Sequence, residues 1–334
     1  MNILFLIGNG FDVSLGMKTR YDDFYDSYCS QPDNSKNQKV CDLKKAIDKG
    51  RENWSDLEWA FGQYTKELSD FSEFEKVYYD LSDALLAYLR AEEAKFDPSF
   101  MSKDKLLQYL STPTVALPLA DRRLIELGAT HTVNRIGVIS FNYTHTIERI
   151  LDYKTPGLIQ GKDTKSGIPW QFDEIHHVHG TLDEGATILL GVNDVGQIAN
   201  PDFAKNEEIT DILVKPNSNR VLKEEVDVRC RTLINQADII VLFGLSVGAT
   251  DAIWWQTIMN RISSSSATLI IYHYDRELNI GPNRGQRLGA IERQVRANFL
   301  EQARSRAVES SMRNRIFVGV NSDMFKMVKR DKKG

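Results

Sequence analysis

The chain has 334 residues, a formal net charge of −4 and 26% charged residues, which is typical of a globular protein with a sizeable core. This charge gives no electrostatic reason to expect a nucleic-acid or membrane partner. The three cysteines form no CxxC pair, so neither a disulfide framework nor a structural zinc site is indicated. No apolar stretch approaches the roughly 18 residues of a membrane helix, and we predict a cytoplasmic protein.

Seven short apolar runs, each ending near Gly, Asn, Ser or Asp, predict β-strands. They begin at Asn2, Arg135, Glu174, Thr187, Asp238, Thr268 and Arg315. Most are continuous rather than alternating, which is typical of strands covered on both faces. Because helical segments separate them, the runs predict an α/β fold with a mostly parallel sheet.

Residues 31–131 have a different pattern. Segments such as DLEWAFGQYTKEL place apolar and aromatic residues three and four apart, with charges on the other face. We interpret this region as a mostly helical insertion between the first two strands, so that residues 1–30 and 132–330 form the sheet domain. Another amphipathic helix follows Gly285, and residues 331–334 are predicted to be a basic tail.

The first strand runs into a glycine-rich turn and an acidic residue: Gly8, Asn9, Gly10 and Asp12. A strand, such a turn and a helix together present backbone N–H groups to a phosphate, and glycine lets ligand oxygens approach closely. Val13 occupies the third glycine position of the G-x-G-x-x-G fingerprint, so the usual dinucleotide motif is incomplete. Thr19 with Asp22 predicts a capping box for the next helix.

The second strand, VISF, ends at Asn142, Tyr143 and Thr144. In α/β sheets, ligands bind at the carboxyl ends of strands, so Asn142 is a candidate site residue. The alternative is a loop asparagine that bonds its own backbone. Glu148, one helical turn beyond Thr144, is expected to cap or pair rather than to act in chemistry.

The segment HHVHG would place His177 and His179 on one strand face and His176 on the other. No further histidine–carboxylate cluster supplies the remaining ligands of a metal, and we expect none. His179 precedes a glycine at the strand end, and its imidazole suits a general base near neutral pH. A hydrogen-bonded core histidine is the alternative.

Gly244-Leu245-Ser246-Val247-Gly248 satisfies the G-x-S-x-G pattern of a nucleophile elbow, between a strand and a helix. A serine hydrolase would need its acid and then its histidine further along the chain. The last histidine, His273, lies inside a strand run, and Asp275 comes after it. Gly244 and Ser246 make equal sense as a second phosphate- or ribose-binding turn, with Asp251 near the start of the next helix.

In combination, these motifs resemble known families. GNGFD, FNYT, HVHG, FGLSVGATD and IIYHYD occur in the order seen in sirtuin-like NAD-binding domains. IGNGFDVSLGMKTRYDDFY, with SFNYTHTIE and HVHGTLD, resembles the AbiH family of bacteriophage abortive infection proteins. The resemblance covers most of the chain and implies a doubly wound, Rossmann-like (sirtuin-like) sheet that binds NAD across the strand ends.

The resemblance also implies roles for individual residues. Asn142 would hold the ribose or the attacking water, and His179 would contact the ribose hydroxyls and act as base during cleavage of the nicotinamide–ribose bond. The remaining binding residues would be Gly8, Asn9, Gly10, Asp12, Thr144, Gly244, Ser246, Asp251 and Asp275. Thr144 replaces an acidic residue that is frequent at its position. The zinc module of deacetylating sirtuins is absent, which argues against protein deacetylation.

The resemblance therefore implies an antiphage abortive-infection protein that cleaves NAD, and we expect no metal. The expected partners are a small-molecule nucleotide and either further copies of the chain or a phage-derived activator. Two alternatives stay open: a serine hydrolase that uses Ser246, and a non-catalytic nucleotide sensor.

Overall fold

The computed structural model describes residues 1–31, 37–126, 133–153, 159–162, 167–223, 225–276, 278 and 284–327. In this part of the chain, no helix combines the length and the apolar character needed to cross a lipid bilayer. The predicted basic tail lies outside the described residues.

The described residues form one seven-stranded sheet. Its strands are β1 (Asn2–Ile7), β2 (Asn134–Ser140), β3 (Ile159–Lys162), β4 (Pro169–His177), β5 (Ile239–Phe243), β6 (Thr268–His273) and β7 (Ile316–Val320). The spatial order is β3-β4-β2-β1-β5-β6-β7, and every pairing is parallel except that of β3 with β4. The direction of strand addition reverses between β1 and β5, and ligands of open α/β sheets bind at such a point.

Thirteen α-helices accompany the sheet in the described part of the chain. They are α1 (Gly10–Ser14), α2 (Tyr21–Ser30), α3 (Gln38–Lys49), α4 (Leu57–Tyr64), α5 (Phe71–Lys95), α6 (Lys103–Ser111), α7 (Leu119–Glu126), α8 (Thr146–Leu151), α9 (Glu207–Leu213), α10 (Lys215–Leu222), α11 (Val226–Gln236), α12 (Ala252–Ser264) and α13 (Arg284–Gln302). The mixed α/β class and the mostly parallel sheet predicted from the sequence are confirmed.

Both faces of the sheet are buried, which explains the continuous apolar runs. On β1, Phe5 packs in a cluster with residues of α1, α6 and α8. Its neighbour Leu6 points the other way, into a cluster with residues of α11, α12 and α13. Because successive side chains of a strand alternate between faces, a strand between two helical layers must be apolar at nearly every position.

A third apolar cluster lies beyond the carboxyl ends of the strands. It combines residues of α2, α3, α4, α5 and α9 with Tyr143, which follows β2, and Val192, which follows β4. Hydrogen bonds fasten this helical cluster to the same edge: Arg90 Nε of α5 donates to the Leu182 carbonyl at 2.9 Å, and the His145 N–H donates to Glu93 Oε1 at 2.5 Å. The helices between β1 and β2 therefore cover the edge where a ligand would bind.

Six of the seven predicted strands are confirmed, and the one predicted at Thr187 is wrong. Residues 187–194 make only an isolated bridge, between Val192 and Val214. Leu190 and Val192 are buried in the helical cluster, so the run reflects burial without sheet pairing. The predicted domain boundary at residue 31 stays a prediction, although Phe24 of α2 already packs in the helical cluster.

Candidate active site at the carboxyl edge of the sheet

The two glycine-rich turns pack against each other. The N–H groups of Gly8 and Gly10 donate to the carbonyls of Phe243 and Gly244 at 2.9 and 2.8 Å. A Cβ on Gly10 would lie 2.5 Å from the Gly244 Cα, and Gly244 has a φ of +69°. The sequence predicted that the N–H groups of this turn would bind a phosphate, but these two already bond carbonyl groups of the protein. Glycine is required here by the close approach of β1 to β5.

Asn9 has a structural role in the first turn. Its Nδ2 donates to the Thr19 carbonyl at 2.7 Å, and its Oδ1 accepts from Thr19 Oγ1 at 2.5 Å. The capping box predicted at Thr19 and Asp22 is wrong by one residue: Arg20 is the N-cap of α2, and its N–H donates to Asp23 Oδ2 at 3.3 Å. The Thr19 hydroxyl donates to the Asn9 side chain instead of capping α2.

Asp12, Asn142 and Thr144 form a buried polar group between the ends of β1 and β2. Thr144 Oγ1 donates to Asp12 Oδ2 at 2.5 Å, and Asn142 Nδ2 donates to the Gly8 carbonyl at 3.3 Å. In the described part of the chain, Asp12 Oδ1 and Asn142 Oδ1 have no hydrogen-bond partner. Buried polar atoms without partners are rare, so two adjacent ones are consistent with a site for a polar ligand.

Asp12 should make folding stability depend on pH. Burial raises the pKa of its carboxyl to about 6, although the neighbouring polar side chains of Thr144, Thr146 and Asn142 lower it. Because the pKa of the carboxyl is higher in the folded protein, the protonated group contributes fully to stability when the pH is below its ordinary pKa near 3.8. This contribution to stability is lost as the pH rises through about 6. We therefore expect Asp12→Asn to be more stable than the parent by about 3 kcal/mol at pH 7, with little difference at pH 4.

Urea unfolding of both proteins at the two pH values measures this difference, because effects of other groups cancel between them. Parallel pH dependence in parent and variant would exclude Asp12 as the titrating group.

His179 lies beyond the end of β4, and its ring is directed to the same edge as Asn142. Its Nε2 is 3.0 Å from Asp251 Oδ1. The ring centroid is 5.3 Å from that of Phe141 and 6.2 Å from that of Tyr143, the two residues that flank Asn142. The chain thus brings the His179 ring into contact with the two residues that flank Asn142.

Asp251, at the N-cap of α12, is held in the ionised form. Burial would raise the pKa of its carboxyl, but Lys215 and His179 together lower it well below its ordinary value. An ionised carboxylate beside an imidazole fixes the tautomer of the ring, as in carboxylate–histidine pairs generally.

Lys215 and Glu58, which form a charge cluster with Asp251 and His179, were not predicted from the sequence. Lys215 Nζ, at the start of α10, is 2.8 Å from Asp251 Oδ1 and 2.8 Å from Glu58 Oε2. Glu58 belongs to α4, and Lys215 follows the buried residue Val214. The one available signal was a charge on an apolar face, since Glu58 lies three residues before the fully buried Phe61. Its partner was not apparent from any local pattern.

Other predicted binding residues lie apart from this cluster. Ser246 is exposed, and in the described residues its hydroxyl makes no hydrogen bond to any histidine or other group. The positive φ angles of this turn, +69° and +51°, belong to Gly244 and Val247 rather than to the serine. Asp275 lies at the end of β6, where its N–H donates to Asn321 Oδ1 at 2.7 Å. In the described residues, Ser246 therefore has no histidine beside it to act as the general base of a serine hydrolase.

His177 and Glu148 pair with each other, in accordance with the expected pairing role of Glu148. His177 Nε2 is 2.7 Å from Glu148 Oε1, and its Nδ1 is 2.8 Å from the Asn142 carbonyl. Among the residues that the structure describes, no group of three or more His, Cys, Asp or Glu side chains is arranged to hold a metal.

Two surface cavities lie away from the cluster. One, of about 690 Å³, is lined by residues of the helical cluster that include Trp54 and Trp59. The other, of about 700 Å³, is lined by residues that include His145 and His176. Neither lining includes Asn142 or His179.

Comparison with known proteins adds one match. A family model described as "Bacteriophage abortive infection AbiH" matches residues 4–273, which is most of the chain. The comparison with curated proteins finds no match.

Proposed function

The chain belongs to the AbiH family of bacteriophage abortive infection proteins, and from this premise we propose that it cleaves the nicotinamide–ribose bond of NAD. An amide and a carboxylate-paired imidazole lie at one sheet edge, beside the point where strand order reverses, and this juxtaposition supports the proposal most directly. In this proposal the sheet is Rossmann-like and sirtuin-like, with the dinucleotide lying across the strand ends.

The proposed reaction is hydrolysis. The bond between ribose C1′ and the nicotinamide ring nitrogen breaks, the electron pair stays with neutral nicotinamide, and a water oxygen bonds to C1′. His179 Nδ1 accepts the proton that the water loses and later releases it to solvent. Asn142 orients the water or the ribose hydroxyls, because the oxocarbenium-like ribose needs oriented dipoles more than a strong nucleophile.

Asp12 supplies the carboxyl group that position 144 lacks. Thr144 replaces a frequent acidic residue, yet its hydroxyl bonds the Asp12 carboxyl. The unpaired Asp12 Oδ1 is available to accept a hydrogen bond from the nicotinamide amide, and the unpaired Asn142 Oδ1 is available to a ribose hydroxyl. The two unpaired acceptors of the site therefore suit the amide and hydroxyl donors of the proposed substrate.

Access to the site depends on the helical cluster. His179 is 6% exposed and Asn142 is 7% exposed. NAD therefore reaches them after movement of the covering helices, and a phage-derived activator or assembly of several copies would supply that movement. Such control suits a protein whose activity harms its own cell.

The decisive experiment measures both binding and turnover. Purified protein is mixed with NAD, binding is followed by calorimetry and nicotinamide release by chromatography. NAD is also quantified in phage-infected cells that express the chain. We expect release in vitro or NAD loss after infection.

Binding without either would favour the nucleotide sensor. Labelling of Ser246 by an active-site serine probe would favour the hydrolase. Absence of both binding and NAD loss would overturn the proposal.

A further inference from the structure

Four polar side chains from distant parts of the chain, three of them buried and one largely buried, meet at the carboxyl edge. They are Glu58 of α4, His179 after β4, Lys215 of α10 and Asp251 before α12. The exposed fractions of the Glu58, Lys215 and Asp251 side chains are 7%, 9% and 15%. Charged groups at this depth are retained only when they are paired, because the cost of desolvation is large.

Lys215 is the centre of this charge cluster. Its Nζ donates to Glu58 Oε2 and to Asp251 Oδ1, each at 2.8 Å, and lies 3.3 Å from His179 Nε2. The other Glu58 oxygen, Oε1, accepts from the Gly191 N–H at 3.3 Å. The ammonium group therefore joins a carboxylate of the helical insertion to the carboxylate that pairs with the histidine.

The distances favour one tautomer of His179. Its Nε2 can donate to Asp251 or accept from Lys215, but not both. Two of the three Lys215 N–H groups have acceptors at 2.8 Å, and Nζ is 3.3 Å from Nε2, whereas Asp251 Oδ1 is only 3.0 Å from Nε2. With the proton on Nε2, Nδ1 keeps its lone pair, and no group in the described residues bonds it.

Lys215 itself is unsuited to act as a base. Burial would lower the pKa of its ammonium group, but Asp251 and Glu58 raise it above its ordinary value. A lysine that keeps its proton this firmly orients its neighbours without exchanging protons.

We propose that Lys215 is a positioning residue, which fixes Asp251 so that His179 presents a bare Nδ1 to the substrate. Glu58 holds the same ammonium group from the other side, so helix α4 of the insertion is a structural part of the site. The catalytic consequence rests on the proposed NAD cleavage, whereas the fixed tautomer does not.

The first test observes the imidazole directly. The full chain, labelled with ¹⁵N-histidine, is studied by NMR, and His179 is assigned among the six histidines through His179→Gln. We expect a single tautomer with the proton on Nε2 in the parent protein. In Lys215→Met, the two nitrogen shifts should move toward each other, and the Nε2 proton should exchange faster with water.

Lys215→Met leaves two buried carboxylates without a counter-ion and is expected to be unstable. The double variant Glu58→Gln with Lys215→Met removes one of them and keeps the experiment interpretable if the single variant fails to fold. Lys39→Met is the matched control, because Lys39 pairs with Glu73 in the insertion, away from the cluster. It should leave the His179 signals unchanged.

Kinetics gives the second readout. In the folded double variant, kcat for nicotinamide release should fall about 10- to 100-fold with little change in KM. Parent-like imidazole signals in that variant would overturn the positioning role. If the signals respond as expected but the parent never cleaves NAD, the positioning role stands and the proposed reaction fails.

Discussion

Replacement of His179 by glutamine is expected to slow nicotinamide release by about 10²- to 10⁴-fold, the usual effect of losing a general base. The glutamine amide still donates a hydrogen bond, so Asp251 keeps a partner, but it accepts no proton near neutral pH. Asn142→Ala should cost about 10²- to 10³-fold, as removal of one oriented dipole does in other hydrolytic sites. Initial rates at saturating NAD measure both effects.

His176→Ala is the matched control for these variants. His176 lies on β4, where it lines the surface cavity of about 700 Å³, and its Nε2 is 3.0 Å from Glu174 Oε2. Its removal should leave the rate near that of the parent. Circular dichroism melting curves establish that each variant is folded. A folded His179→Gln protein with the parent rate would refute the assigned base.

The second large effect concerns folding rather than catalysis. Gly244→Ala is expected to lower the free energy of unfolding by about 2–5 kcal/mol, through overpacking and left-handed backbone strain together. A Cβ at this position would lie 2.6 Å from the Phe11 backbone nitrogen, and the residue has a φ of +69°. The loss should appear in urea unfolding without any ligand.

Gly289→Ala provides the control for this substitution. Gly289 lies inside α13, and a Cβ there makes only an ordinary contact of 3.6 Å with Arg293. Alanine should stabilise that helix by roughly 0.5–1 kcal/mol. A stable Gly244→Ala protein that merely loses NAD affinity would mean that this glycine serves the ligand rather than the packing of β1 against β5.

The Asp12 and Lys215 variants test different properties of the carboxyl edge of the sheet, stability in one case and the orientation of a side chain in the other. Asp12→Asn should gain stability at neutral pH while losing the carboxyl proposed to bind nicotinamide. Such a gain in stability with a loss of function is common where a site is strained or desolvated for its task. The Lys215 variants, in contrast, should lose activity through the orientation of a neighbouring ring.

The strand positions were predictable because each strand is a short apolar run followed by a turn, and both features depend only on neighbouring residues. A strand between two helical layers must be apolar along its length, and a turn must follow it. Six such runs form parallel or mixed pairings in the sheet. The short edge strand β3 was missed because its four residues alternate between half-buried and exposed and contain no apolar run.

The same rule failed at residues 187–194. Leu190 and Val192 are buried as deeply as strand residues, but they pack in the helical cluster, and in the described part of the chain they join no strand of the sheet. An apolar run reports burial, and only the neighbours decide whether burial comes with a ladder of hydrogen bonds.

The sheet class, the family and the strand ends at which Asn142 and His179 lie can be predicted from the sequence, because periodicity and short motifs depend on neighbouring residues. The surroundings of those residues are set by three-dimensional packing. This packing pairs Glu58 with Lys215, 157 positions further along the chain, and brings Gly8 and Gly10 against the end of β5. Such contacts depend on how whole elements pack, and no stretch of neighbouring residues encodes them.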